Sequence, residues 1–241
     1  MLIKTQDQQH QIKTVCDWFT YAPPAQGAAH WQDYRSAKEL AKAWLRPAMP
    51  SELQSLFNSN PGFSGFLVET AVPEFSINLD NFGGPSVRDL LLLGELGKIP
   101  AIATIEAKAD EPFGNDCVGD YYDRHFGGRS NIPTRVDTLV QSMFRRPLDD
   151  SVRKLRYQLL HAPAATLIEA QRRSAKRAAF VVHEFLSAQT KPECVARNSD
   201  DWNHFLSLLG LNPANTLLGP VHIPGYPEIE FFAGKVSIVL C

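Results

Sequence analysis

Three residues carry the chemistry that this sequence could perform: Asp89, Glu106 and Lys108. They lie on two apolar runs between Pro85 and Phe113, each of strand length and each bounded by Gly or Pro. Such runs read as adjacent buried strands. Asp89 opens the first run, and Glu106 and Lys108 end the second. Successive side chains of a strand alternate faces, so Glu106 and Lys108 point the same way and Ala107 the other. Two carboxylates and an ammonium thus converge at one end of a two-strand unit with apolar flanks. Charges in that setting are costly unless they pair with one another or hold a metal ion. The sequence alone leaves both outcomes open.

The rest of the chain must build a frame for these residues. At 241 residues it is long enough for one domain with a substantial core. We expect a single domain over 1–241, its core spanning about 36–210 and its last part, 211–241, forming an extension. The start of the chain has no apolar signal segment, and no apolar run approaches a membrane span. Cys16, Cys117, Cys194 and Cys241 stand far apart with no Cys-x-x-Cys, which fits a reducing cytoplasm better than a zinc site or disulfide framework. The net charge of −2 conceals an uneven distribution: −7 over residues 1–123, +8 over 124–177 and −3 over 178–241. A basic stretch after a carboxylate pair suits a phosphate-bearing partner, and equally suits arginines that pair with the acidic flanks.

Taken in order, Ser36-Ala-Lys-Glu39 reads as a capping box opening a short helix, and 51–58 as a second helix. The 63–79 region is a strand, with Phe75, Ile77 and Leu79 alternating. Residues 114–133 read as a long surface loop whose Tyr121, Tyr122, Arg124, His125 and Arg129 would suit stacking and phosphate contact. Thr134 is the expected cap of an amphipathic helix carrying Val136, Leu139, Val140, Met143 and Phe144 on one side. A further helix runs from Ser151, kinked or restarted at Pro163, with Leu155, Gln158, Leu159 and Ala162 on its inward face. Gln158 would need polar partners there. Residues 178–185 form a buried strand interrupted by His183. Residues 202–210 form a helix, and the tail reads as a β-hairpin turning at Ala233-Gly234.

The spacing of Asp89, Glu106 and Lys108 resembles the PD-(D/E)xK, or restriction-endonuclease-like, superfamily of phosphodiesterases. The blocks Ser-Ala-Lys-Glu-Leu-Ala-Lys-Ala-Trp, Ile-Glu-Ala-Lys-Ala-Asp-Glu-Pro-Phe-Gly, Leu-Arg-Tyr-Gln-Leu-Leu-His and Phe-Val-Val-His-Glu-Phe resemble an uncharacterised bacterial family grouped with that fold. The resemblance implies an α/β protein with an αβββαβ core, a mixed central sheet, flanking helices and the C-terminal β-hairpin. It implies a magnesium or manganese ion held by Asp89, Glu106 and the carbonyl of Ala107, with Lys108 positioning the attacking water. It also suggests Glu39 and Gln158 as supporting residues, although Glu39 is equally the box residue of its helix. Arg129, Arg153 and Arg156 are the expected nucleic-acid contacts. The sequence departs from the pattern at Arg88, where the superfamily has Pro, and Arg88 could pair with Asp89. The implied activity is metal-dependent hydrolysis of nucleic-acid phosphodiester bonds. A non-catalytic protein binding nucleic acid or a protein partner, and a hydrolase of small phosphorylated molecules, are the alternatives. A homodimer through the C-terminal hairpin edge is a further expectation.

Overall fold

The computed structural model describes residues 1–82 and 84–240. Its strands are β1 (Leu2–Ile3), β2 (Leu67–Ile77), β3 (Ser86–Leu96), β4 (Ile99–Lys108), β5 (Arg177–Leu186), β6 (Leu218–His222) and β7 (Glu230–Val239). Its helices are α1 (Val15–Tyr21), α2 (Ser36–Trp44), α3 (Ser51–Asn58), α4 (Val118–His125), α5 (Ile132–Phe144), α6 (Asp150–Arg153), α7 (Tyr157–Arg172) and α8 (Pro192–Leu208). All seven strands form one mixed sheet in the order β1-β2-β3-β4-β5-β7-β6. The expected α/β class with flanking helices is therefore what the chain adopts.

Local chemistry explains the central meander. β3 and β4 are antiparallel, with Leu96 opposite Ile99 and only Gly97 and Lys98 between them. Gly97 has φ +66 at the first turn position, the backbone that such a tight hairpin demands and glycine supplies. β2 pairs antiparallel with β3 and carries a bulge between Val68 and Thr70. Opposite the bulge, Gly94 lies so close that a Cβ would stand 2.0 Å from the Leu67 carbonyl oxygen. The chain then crosses over through α4–α7 and returns as β5, parallel to β4, with Glu106 opposite Val182 and Lys108 opposite Glu184.

Two cores sandwich the sheet. Leu139, Leu159, Leu160, Phe180, Phe205 and Phe231 fill the side covered by α5, α7 and α8. Trp18, Leu40, Trp44, Leu53, Phe57 and Phe63 fill the side covered by α1–α3. Burial on both faces is why β5 reads as one continuous apolar run rather than an alternating one.

Several expectations shift. No turn occurs at Ala233-Gly234: β7 runs straight through it, Ala233 facing Phe180 on one side and Leu218 on the other. The hairpin is instead β6–β7, and β7 lies inside the sheet. Gly234 is there for packing, since a Cβ would meet Leu217 and Leu56 at 3.0 Å. The 114–133 stretch contains α4, docked because Val118 is buried and donates its N–H to the Leu155 carbonyl. Arg35, not Ser36, caps α2, and Glu39 reaches back to accept from the Tyr34 N–H at 2.8 Å. α5 begins at Ile132, before Thr134, and Pro163 lies inside a continuous α7. Residues before 36 join the structure too: β1 adds an edge strand and Trp18 is buried.

Gly94→Ala drives a methyl group into the β2 backbone. We expect a loss of about 2–4 kcal/mol in denaturant unfolding. A variant within about 0.5 kcal/mol of wild type would mean that the bulge can reopen without penalty.

Candidate active site

Glu106 is the centre of the polar cluster. It is 2 % exposed and accepts three hydrogen bonds. Arg88 Nη1 reaches Oε2 at 2.8 Å, Lys108 Nζ reaches Oε1 at 2.9 Å, and Gln158 Nε2 reaches Oε1 at 2.5 Å. The first comes from β3, the second from Glu106's own strand β4, and the third from α7 across the top of the sheet. With Nε2 turned to the carboxylate, the orientation of the Gln158 amide follows from chemistry, since its oxygen would be repelled there. Arg88 thus pairs with Glu106, not with Asp89 as its position beside Asp89 suggested.

Asp89 stands one step away. The β3–β4 ladder stops at Leu90 opposite Ile105. Beyond it, the Asp89 carboxylate takes over as acceptor, binding the Ala107 N–H at 2.7 Å through Oδ2. Glu74, on β2, completes the carboxyl group set. It sits at φ +47, a left-handed backbone that a non-glycine side chain adopts at a cost. Burial first, then the charges of Asp89 and Glu106, push Glu74 up to about 9. Burial and Glu106 likewise push Asp89 up to about 7, against the opposing pull of Lys108 and the Ala107 N–H. Burial alone would lower Lys108; Glu106 and Asp89 outweigh it and hold the ammonium above its usual range. Its charge also lies 5.5 Å from the centre of the Phe113 ring.

A second tier backs Arg88. Its Nη2 donates to Ser86 Oγ at 2.9 Å, and Ser86 Oγ is 2.8 Å from His161 Nδ1. Burial, then Arg88, drives His161 well below its ordinary value, so its ring is neutral. The neutral ring and Ser86 Oγ share this bond, its direction set by the ring tautomer. Two buried polar atoms of the cluster have no partner: Arg88 Nε and Gln158 Oε1. One is a donor and the other an acceptor.

The structure gathers Asp89, Glu106, Ala107, Lys108 and Gln158 at this end of β3 and β4. It does not connect Glu39, whose carboxylate is taken up by the Tyr34 N–H and by Lys42 at 2.7 Å. The basic stretch is largely spent. Nine of its twelve Lys and Arg residues form ion pairs, among them Arg124–Asp116, Arg135–Asp80 and Arg177–Glu230. Arg153 pairs with Asp123, and Arg156 with Asp201 at 3.0 Å. Arg129 is exposed after α4. Sequence reasoning missed His161, although it lies three residues after Gln158 and so on the same helix face. Among the described residues, no group of three or more His, Cys, Asp or Glu side chains is arranged to hold a metal ion.

Glu74 gives the site a pH signature. Between the usual 4.5 and about 9, the folded chain keeps a proton that the unfolded chain has released, so stability falls as pH rises through that window. Glu74→Gln is expected to melt with wild type near pH 4.5 and at least about 2 °C above it at pH 8. Scanning calorimetry across pH measures this, and parallel melting curves would show that Glu74 ionises freely.

Comparison with known proteins gives a family without an activity. No curated protein matches the chain, and no solved structure matches it. A family model described as "Domain of unknown function (DUF6946)" matches residues 11–238, nearly the whole fold including both cores and the carboxylate cluster, and the chain belongs to that family.

Proposed function

We propose that the chain is a metal-dependent hydrolase of phosphodiester bonds, built on a restriction-endonuclease-like core. The observation that carries this reading is the convergence of Asp89, Glu106, Lys108 and Gln158 at the end of β3 and β4. Topology supports it: α2, the β2–β3–β4 meander, the α4–α7 crossover and β5 parallel to β4 follow the αβββαβ order.

The donor set fits a hard divalent cation such as magnesium or manganese. Asp89, Glu106 and the Ala107 carbonyl would hold it, water completing the shell, since magnesium uses few protein carboxylates. Protons held by Asp89 and Glu74 up to about 7 and 9 mark negative charge in excess of the cations present. The orphaned acceptor of Gln158 and orphaned donor of Arg88 suit a hydrated cation and a phosphate oxygen respectively. A bound cation would neutralise phosphoryl charge and acidify a water. Lys108 would orient that water while Gln158 fixes the Glu106 carboxylate. Arg88, with one guanidinium edge on Glu106 and Ser86, would turn its free Nε toward the phosphate. With the basic segment mostly ion-paired, substrate contact falls to the site itself and to exposed Arg129, Arg145 and Lys154.

One observation favours a second reading. The Arg88 guanidinium already supplies Glu106 with a counter-charge, as a cation would. In that case the cluster is a structural ion network in a protein that binds nucleic acid or a partner protein without cleaving it.

Magnesium and manganese calorimetry on wild type and on Asp89→Ala, with cleavage assays on single- and double-stranded DNA and on a mononucleotide phosphodiester, separates the readings. We expect binding that disappears in Asp89→Ala, with cleavage falling about 100-fold or more. Gln158→Ala is expected to weaken metal affinity by about 10–100-fold. Absence of binding in both wild type and Arg88→Ala would leave only the non-catalytic reading.

A further inference from the structure

A second polar site lies on the far side of β5 from the carboxylate cluster, at the edge of β7. β6 pairs with β7 only at Glu230, Phe231 and Ala233. Among the described residues, no strand pairs with β7 on that side past Ala233, while β5 pairs with it throughout on the other. Beside this open edge is a cleft of about 850 Å³, walled by α3 on one face of the sheet and α8 on the other, with the 213–215 loop closing one end. That volume is typical of small-ligand sites.

Glu184 of β5 lines the cleft at 1 % exposure. Its Oε2 is satisfied, accepting from Ser237 Oγ at 2.7 Å and facing Lys235 Nζ at 3.2 Å. Its Oε1 has no partner. A buried carboxylate oxygen left without a donor is unfavourable by more than an ordinary hydrogen bond is favourable. Glu52 of α3 brings a second carboxylate to the cleft. The adjacent His183 ring, with Nε2 3.2 Å from Glu52 Oε1, holds that carboxyl down to about 2, so it is charged throughout the ordinary pH range.

The remaining lining includes the side chains of Ser55, Ser199, Asn203 and Asn215, each able to accept a hydrogen bond. Among the described residues lining the cleft the one Lys or Arg is Lys235, already engaged with Glu184. An ammonium or guanidinium needs only acceptors, and it carries several donors to use on them.

We infer that this cleft binds a small organic cation, an ammonium or guanidinium compound, whose N–H groups are received by Glu184 Oε1 and whose charge is balanced by Glu52. Glu184 is the ladder neighbour of Lys108, but the cleft opens on the other side of β5, and the proposal stands whether or not the Glu106 cluster hydrolyses anything.

Titration calorimetry on the full chain with n-butylguanidine, and with its neutral counterpart n-butylurea, tests this. We expect one-to-one binding of the guanidine with a dissociation constant of about 1 mM or tighter, and tenfold or weaker binding of the urea. Glu184→Gln is expected to weaken guanidine binding at least tenfold. Because that variant also disturbs Lys235, Ser199→Trp provides a second arm. It fills the cleft from α8 without touching Glu184, and its binding should fall by the same factor with melting unchanged. No guanidine binding at 10 mM, equal binding of the urea, or wild-type binding by a folded Ser199→Trp would overturn the proposal.

Discussion

A carboxylate almost wholly removed from water is a large liability, and Glu106 is such a group at the middle of the sheet. Its ionised form is tolerable only because three donors from three directions converge on it. Each donor constrains a different element. Arg88 fixes the register of β3 against β4, Lys108 the pleat of β4, and Gln158 the depth at which α7 lies across the sheet. Removing any one would leave buried charge uncompensated, so packing, strand register and electrostatics at this end of the molecule are a single problem with a single solution.

The same arrangement explains why the neighbouring carboxyl groups hold protons. Arg88 and Lys108 are both committed to Glu106, and little positive charge remains for Asp89 and Glu74. The folded chain thus carries an electrostatic deficit just where β3 stops pairing and Asp89 caps the Ala107 amide in place of backbone. Regular structure gives way there to side-chain hydrogen bonding, which leaves polar groups such as Gln158 Oε1 unmatched.

Much of this was legible in the sequence because period and punctuation are local. The β3–β4 hairpin announced itself by two apolar runs around Gly97, and the shared face of Glu106 and Lys108 followed from strand alternation. Gln158 was recognisable as an amide on an otherwise apolar helix face. What was not legible depended on distance in space. Arg88 turned to Glu106 rather than Asp89 because strand alternation puts it on the opposite face from Asp89, where Ser86 of its own strand, backed by His161 of α7, accepts from its other guanidinium nitrogen. Glu74 looked like an ordinary strand carboxylate until the bend at its own backbone carried it toward the cluster. The Ala233-Gly234 pair imitates a turn, yet Gly234 lacks a side chain because Leu56 and Leu217 pack against its backbone. The basic stretch suggested a phosphate surface, whereas most of its arginines are taken up by acidic residues, half of those pairs local in sequence and half bridging distant segments.

The place of β7 has a consequence for how the molecule comes to be folded. This strand is the last of the described ones in sequence but an interior one in the sheet, bonded along its whole length to β5. During synthesis β5 must wait, with one edge open, while α8, β6 and the loops around them are made. The meander β2–β3–β4 can form early from neighbouring segments. The parallel half of the sheet closes only when residues near 239 leave the ribosome. Parallel pairings between distant segments are slow to form and expose strand edges while they wait. The order of assembly is therefore written into the topology, with the Glu106 end of the meander able to take shape before the β7 side exists.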